Sequence, residues 1–285
     1  MDSRLKNMAV RGLYPEEIYD KIFCGIVTIR KDEESMSGHS KWNNIKRKKG
    51  ASDAQKAKVF TKVAREISVA VKEGGADPAS NGKLRDAIAK AKSCNMPNDN
   101  IDRCIKKAAG DGDKNNYEDM VYEGYGPSGV AVIVEALTDN RNRTAGDLRH
   151  FFDKCGGNLG QNGCVSFMFT QRGVVIIDNP DSELDEDKVL EDCFDVGAED
   201  VNFEDEVIEV LTAIADVRTV REGLEAKGYT LSSAEVAYIP STMTSITDED
   251  ASAKMAKLLE LLEDNDDVQN IWHNWEEADA GEDDE

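Results

Sequence analysis

Residues 130–170 read VAVIVEALTDNRNRTAGDLRHFFDKCGGNLGQNGCVSFMFT, and this stretch decides the fold class. The apolar run 130–137 is rich in β-branched residues and too short for a helix, so it predicts a buried strand. Thr138, Asp139 and Asn140 can cap a helix, and 141–154 then places Leu148, Phe151 and Phe152 inward. Cys155-Gly156-Gly157-Asn158 stops that helix, and 164–170 predicts the next strand, which makes a β-α-β unit. Upstream, 122–129 is rich in glycine and reads as a turn leading into the first strand.

Downstream, the same texture continues. Strands are predicted at 174–178, 201–203, 207–212, 234–239 and 268–273, with helices at 185–196, 217–227 and 248–263. Two sets of β-α-β-β-α-β order can be drawn if the set starting at Val174 is inserted within the set starting at Val130, with residues 228–242 shared at the boundary.

Working back toward the N-terminus, the charge changes sign. Residues 36–110 hold 17 Lys or Arg against 7 Asp or Glu, whereas 111–285 hold 12 against 43 in a chain of net charge −22. A strongly acidic protein that gathers its cations in one quarter of its length is built to meet an anionic partner there. Three short amphipathic helices are predicted in that quarter. The first follows Asp53 as N-cap and closes at Gly74-Gly75, with Phe60, Val63, Ile67 and Val71 on one face and Lys58, Lys62, Arg65 and Lys72 opposite. The second spans about 81–94 and buries Leu84, Ile88 and Ala91; the third follows Pro97, with Asn98 or Asp99 as cap and Ile101, Cys104, Ile105 and Ala108 as its seam. Ahead of them, Lys41 and Trp42 lead to Lys46, Arg47, Lys48 and Lys49, so the tryptophan can serve as a base-stacking group or as the aromatic plug of the bundle. The competing reading of every one of these cations is a solvated helix face. The contrast with the acidic remainder favours nucleic acid. Arg141 and Arg143 form a possible second anionic contact, or pair with nearby acids such as Glu123 and Asp147.

The sequence holds no catalytic constellation. The glycines at 156, 157, 160 and 163 follow a helix and lead into a strand, the reverse of a phosphate-binding loop. Asp147, His150 and Cys155 do not share one helix face, and the three histidines lack a spaced ligand set, so no catalytic residue, metal or cofactor is expected. Six cysteines without a C-x-x-C pair read as small, reduced core residues. The apolar run 22–29 is far too short to span a bilayer, so no membrane partner is expected.

Several motifs are more specific than this physics. Met36-Ser37-Gly38-His39-Ser40-Lys41-Trp42, Phe60-Thr61-Lys62, Arg65-Glu66-Ile67, Tyr122-Glu123-Gly124-Tyr125-Gly126-Pro127, Thr138-Asp139-Asn140-Arg141-Asn142-Arg143-Thr144, Lys154-Cys155-Gly156-Gly157-Asn158-Leu159-Gly160 and Ile239-Pro240-Ser241 together resemble the YebC/PmpR family. The resemblance covers about residues 36–275. It implies an α+β fold of three domains: a three-helix basic bundle and two α/β, ferredoxin-like domains, one inserted in the other. It also implies a cytoplasmic, non-enzymatic protein. The family is described as DNA-binding transcriptional regulators, while relatives such as the mitochondrial translational activator of cytochrome oxidase are tied to translation on the ribosome and relief of stalling at proline runs. The corresponding division is 1–35 as an extension, loosely attached or arising from an upstream start; 36–113 as the helical domain; 114–171 with about 240–275 as the first α/β domain; 172–239 as the insertion; and 276–285 as a disordered acidic tail. The residues expected at a nucleic-acid surface are Lys41, Trp42, Lys46, Arg47, Lys48, Lys49, Lys58, Lys62, Arg65, Lys72, Arg141 and Arg143.

Overall fold

The computed structural model describes residues 53–110, 116–180, 182–204 and 206–276. Expectations for 1–52 and for residues 277–285 of the tail lie outside these residues, while Glu276, expected in the disordered tail, pairs as a strand residue with Ser245. The N-terminal part is a bundle of α1 (Asp53–Gly74), α2 (Gly82–Ser93) and α3 (Asn98–Ala109). Its core is Val63, Ile67, Val71, Leu84, Ala91, Met96, Ile101 and Ala108, all contributed by the bundle itself. Gly75, at φ +87, turns the chain out of α1 in a conformation that a side chain would strain. Asn81 then ties the two helices together: its Oδ1 accepts from Leu84 N, and its Nδ2 donates to Ala70 O at 2.7 Å and Gly75 O at 2.8 Å. Replacing this buried cap, Asn81→Ala, leaves those groups without partners and is expected to cost about 1–3 kcal/mol in thermal or denaturant unfolding. An unchanged midpoint would mean that solvent satisfies them. The start of α3 differs from expectation. Pro97 occupies the N-cap position, and Asn98 and Asp99 fall inside the first turn, where the Asp99 charge meets the positive helix end.

The first α/β layer starts with β1 (Glu118–Tyr125), β2 (Ala131–Thr138), α4 (Arg141–Lys154) and β3 (Asn158–Leu159). The chain then enters β4 (Phe169–Asp178), α5 (Glu186–Asp195), β5 (Asp200–Phe203), β6 (Val207–Thr212), α6 (Val217–Ala226) and β7 (Leu231–Pro240). It returns through β8 (Thr244–Ser245), α7 (Glu249–Asp264), β9 (Val268–His273) and β10 (Trp275–Glu276). The first sheet has the order β3-β1-β2-β9, and the second has β5-β6-β4-β7. All pairings within these two sheets are antiparallel, and the second is the split β-α-β arrangement of a ferredoxin-like domain. Its strands lie in sequence between those of the first sheet, so one unit is inserted in the other.

Two strand expectations need correction. Residues 118–125 form β1, although the segment from 122 reads as a turn from its glycines. The predicted strands 164–170 and 174–178 are instead one strand, β4, preceded by a short 3-10 turn at Ser166–Met168. The cause is Glu123, whose carboxylate accepts from Gly163 N, Val165 N and Ser166 N at 2.8 Å each. Those N–H groups are therefore unavailable to a ladder. Because β4 leaves for the second sheet, β2 and β4 do not form a β-α-β unit.

The two sheets stack face to face, with helices outside. Val132, Val134 and Ala136 of β2 pack toward α4 and α7, while Ala131 and Ile133 join Val174, Ile176 and Ala237 between the sheets. Val175 and Ile177 point the other way, toward α5 and α6. Strands buried on both faces need unbroken apolar runs, and 130–134 and 174–177 are such runs.

Candidate nucleic-acid interface

The positive stripe on α1 meets protein. Lys58 Nζ donates to Asp264 Oδ1 at 2.7 Å, and Lys62 Nζ donates to Glu263 O at 2.8 Å. Arg65 Nη1 reaches Asp266 O at 2.6 Å and Asp267 Oδ1 at 2.8 Å. Three of the four cations expected to face phosphate on this helix thus hold the corner that follows α7. Lys72, in the last turn of α1, is exposed.

Asp267 is the hub of that corner. It is 4 % exposed, and its Oδ2 accepts from Arg143 Nη2 at 2.7 Å, Thr144 Oγ1 at 2.8 Å and Thr138 Oγ1 at 3.3 Å. Burial works against the charge, but the bonds from Arg143, Thr144 and Arg65 outweigh it and hold the carboxyl below its ordinary range. Arg143 also bonds Asp139, at 2.9 Å. Arg141 stays 64 % exposed on its side chain, with Glu118 3.7 Å away. Neither arginine pairs with Glu123 or Asp147, the acids that the sequence offers.

A second ionic contact fixes the other side of the bundle. Arg218 Nε and Arg221 Nη1 of α6 both donate to Asp86 of α2 at 3.2 Å. Between the two contacts lies a cleft of about 810 Å³ where the bundle meets both sheets, lined by Lys83, Lys90, Asp119, Glu135 and Gln269 among others. Burial raises the Asp119 carboxyl, Glu73 adds to the rise and Lys83 opposes it. This cleft carries both signs of charge in close pairs, including Lys83 with Glu73 and Lys90 with Glu66.

The outward positive surface is on α3. Arg103, Lys106 and Lys107 are exposed and make no ion pair among the described residues. Arg103 and Lys107 line a groove of about 450 Å³ between α1 and α3, together with Phe60, Arg65, Met96 and Asn100, and no described carboxylate lines it. Arg65 lies over the Tyr117 ring at 5.5 Å at the edge of this groove, a cation–π contact that leaves its guanidinium fixed. These α3 cations were not singled out from the sequence. The signal was present: spacings of three and four put 103, 106 and 107 on one helix face, opposite the Ile101–Cys104–Ile105–Ala108 seam. Lys41, Trp42, Lys46, Arg47, Lys48 and Lys49 lie outside the described residues.

Burial raises the Cys155 thiol, which disfavours the reactive thiolate. No described group of His, Cys, Asp or Glu is arranged to hold a metal ion. No described helix is long and apolar enough to cross a membrane.

Comparisons with known proteins cover nearly the whole described chain. Residues 40–111 match the family described as the TACO1/YebC protein N-terminal domain, and 117–275 match the TACO1/YebC second and third domain. A Ruminiclostridium cellulolyticum protein named "Probable transcriptional regulatory protein" is 58% identical over 249 residues, 87% of this chain and 100% of that relative. An Acetivibrio thermocellus protein of the same name is 59% identical over 240 residues, covering 84% of this chain and 99% of its own. The crystal structure of the conserved hypothetical protein Aq1575 from Aquifex aeolicus is similar at a TM-score of 0.71 and 46% identity, covering 79% of this chain and 91% of that one.

Proposed function

The chain belongs to the TACO1/YebC family, and we propose that it is a non-enzymatic regulator of gene expression that binds nucleic acid, with duplex DNA as its target, through the α1–α3 groove of its helical domain. The observation that carries this reading is the groove itself. It presents Arg103 and Lys107 with no described carboxylate lining it, while Arg65 at its edge is held by Asp266 O and Asp267, on a protein whose residues 111–285 carry 43 acids against 12 cations. A phosphate backbone is attracted to that surface and repelled elsewhere, so the field orients the partner before contact. Arg103 and Asn100 add groups able to pair with base edges, whereas Lys106 and Lys107 act as point charges on phosphate. The names of the relatives support transcription as the process regulated. The protein works in the cytoplasm and needs no cofactor in this reading.

Crosslinking the full chain in cells, then sequencing the recovered nucleic acid, tests the target. Enrichment of promoter DNA is the expected result. Recovery of ribosomal RNA would transfer the same groove to translation on the ribosome, and recovery of neither would remove nucleic acid as the partner.

A further inference from the structure

Phe167 is the most exposed large apolar side chain described, at 75 %. It sits on the turn that precedes β4, and that turn is held on every side. Glu123 accepts from three of its backbone N–H groups, Tyr125 OH donates to Cys164 O at 2.8 Å, and Gly160 N donates to Glu123 O at 2.8 Å. Met168 O accepts from Ser241 N at 2.8 Å, which fastens the turn to the segment after β7. Burial opposes the Glu123 charge, but the three backbone donors outweigh it and keep the carboxyl low, so the clamp stays charged at neutral pH. At Gly163, φ is +91, a conformation that suits glycine. An aromatic ring held out into water on so fixed a support is set for contact rather than left over from folding.

The chemistry around the ring identifies its partner. Residues 155–171 contain no Asp, Glu, Lys or Arg, and neither do residues 236–247, in a chain that is 32% charged. The two uncharged runs meet where β4 pairs with β7, from Phe169 opposite Pro240 to Gln171 opposite Tyr238. The exposed residues nearest Phe167 in sequence or strand register are neutral hydrogen-bonding ones: Gln161 and Asn162 in the same loop, and Ser241 and Thr242, which follow the Pro240 that pairs with Phe169. A phenyl ring on an uncharged surface that carries amides and hydroxyls suits an unpaired base, which offers a π-face to the ring and donors and acceptors at its edge. An apolar pocket on a protein would instead favour a more apolar surround. The two runs expose no acid of their own, and the Glu123 charge beneath them is buried and taken up by three backbone N–H groups, whereas elsewhere the negative body repels a polyanion.

We propose that Phe167 is a stacking platform for an unpaired nucleotide of the bound nucleic acid, with Gln161 and Asn162 placed to read its edge. The site rests on the nucleic-acid reading above, but it lies apart from the bundle. The strand β1 runs from Glu118, paired with Thr138 beside the Asp267 hub, to Tyr125 beside this loop, so the two contacts are roughly 25 Å apart along the sheet. The binding energy here comes from stacking, not charge, and it is therefore insensitive to salt.

The test uses the full chain with two probes, a DNA duplex and the same duplex carrying a short unpaired bubble, each measured at low and moderate salt. The native protein is expected to prefer the bubble. Phe167→Ala should bind the paired duplex normally and the bubble about 5- to 150-fold more weakly, the loss of one stack, at both salt concentrations. Phe167→Trp should retain the preference, and both variants should melt like the native chain because the ring is exposed. A native protein that binds both probes equally overturns this site while leaving the bundle interface intact. Equal bubble affinity for native and Phe167→Ala chains also overturns it and assigns the ring to another partner, such as a protein. Failure of the native chain to bind either probe overturns the DNA-binding reading and this site with it.

Discussion

Asp267→Ala is expected to destabilise the protein by about 3–5 kcal/mol, a cost comparable to breaking a buried ion pair from one side. The carboxylate is almost wholly buried and holds Arg65, Arg143, Thr138 and Thr144 at once. Its loss deprives two guanidinium groups and two hydroxyls at one corner of their shared acceptor, and it removes one of the bonds that hold α1 to the segment after α7. Asp267→Asn should cost less, because the amide keeps one acceptor oxygen but not the charge. The effect has a defined pH dependence. The folded carboxyl is held below its ordinary value, so its stabilising contribution is fully present above the unfolded pKa of about 3.9 and is lost as pH falls through the lower folded value. Native protein should therefore lose stability in strong acid more steeply than Asp267→Ala does. Parallel acid titrations of the two would contradict the hub.

The second large effect is on binding. Reversing three charges in Arg103→Glu, Lys106→Glu and Lys107→Glu should weaken duplex binding on the order of 10³-fold or more at ~50 mM salt, since three phosphate contacts become repulsions. Folding should be weakened only slightly, by roughly 0.3–1 kcal/mol for each Glu placed in the last turn of α3, against the helix dipole. The three side chains are exposed, and the seam of α3 is untouched. The equivalent reversal at Lys58, Lys62 and Arg65 should behave differently. Those side chains hold Asp264, Glu263 O and Asp267, so their reversal should lower the melting temperature as well. Comparing the two triple variants by melting and by binding separates a ligand surface from a protein contact.

That distinction marks the limit of what the sequence reveals. Helix periodicity and caps place α4 at 141–154 and β9 at 268–273 to the residue, because both signals lie within the segment itself. The side of α1 that carries Lys58, Lys62 and Arg65 is equally plain. What it faces is set by residues about 200 positions away, and no local pattern records that pairing. Strand β4 fails for the same reason. Its leading residues are apolar and read as strand, but a carboxylate some 40 residues upstream takes their N–H groups. Phe167 presents the opposite problem: an apolar residue in an apolar run is expected inside, but it lies exposed on the 3-10 turn that follows the Glu123 clamp. The α3 face, by contrast, was legible from spacing and was overshadowed by the denser basic run at 46–49.

The most direct test of the interface is the salt dependence of duplex affinity for the native chain and for Arg103→Ala, Lys106→Ala and Lys107→Ala combined. The native log–log plot should be linear and steep, and the variant slope should be shallower by about 2.7, the release of counterions from three phosphates. Two parallel lines would place the contact elsewhere on the protein and contradict the account.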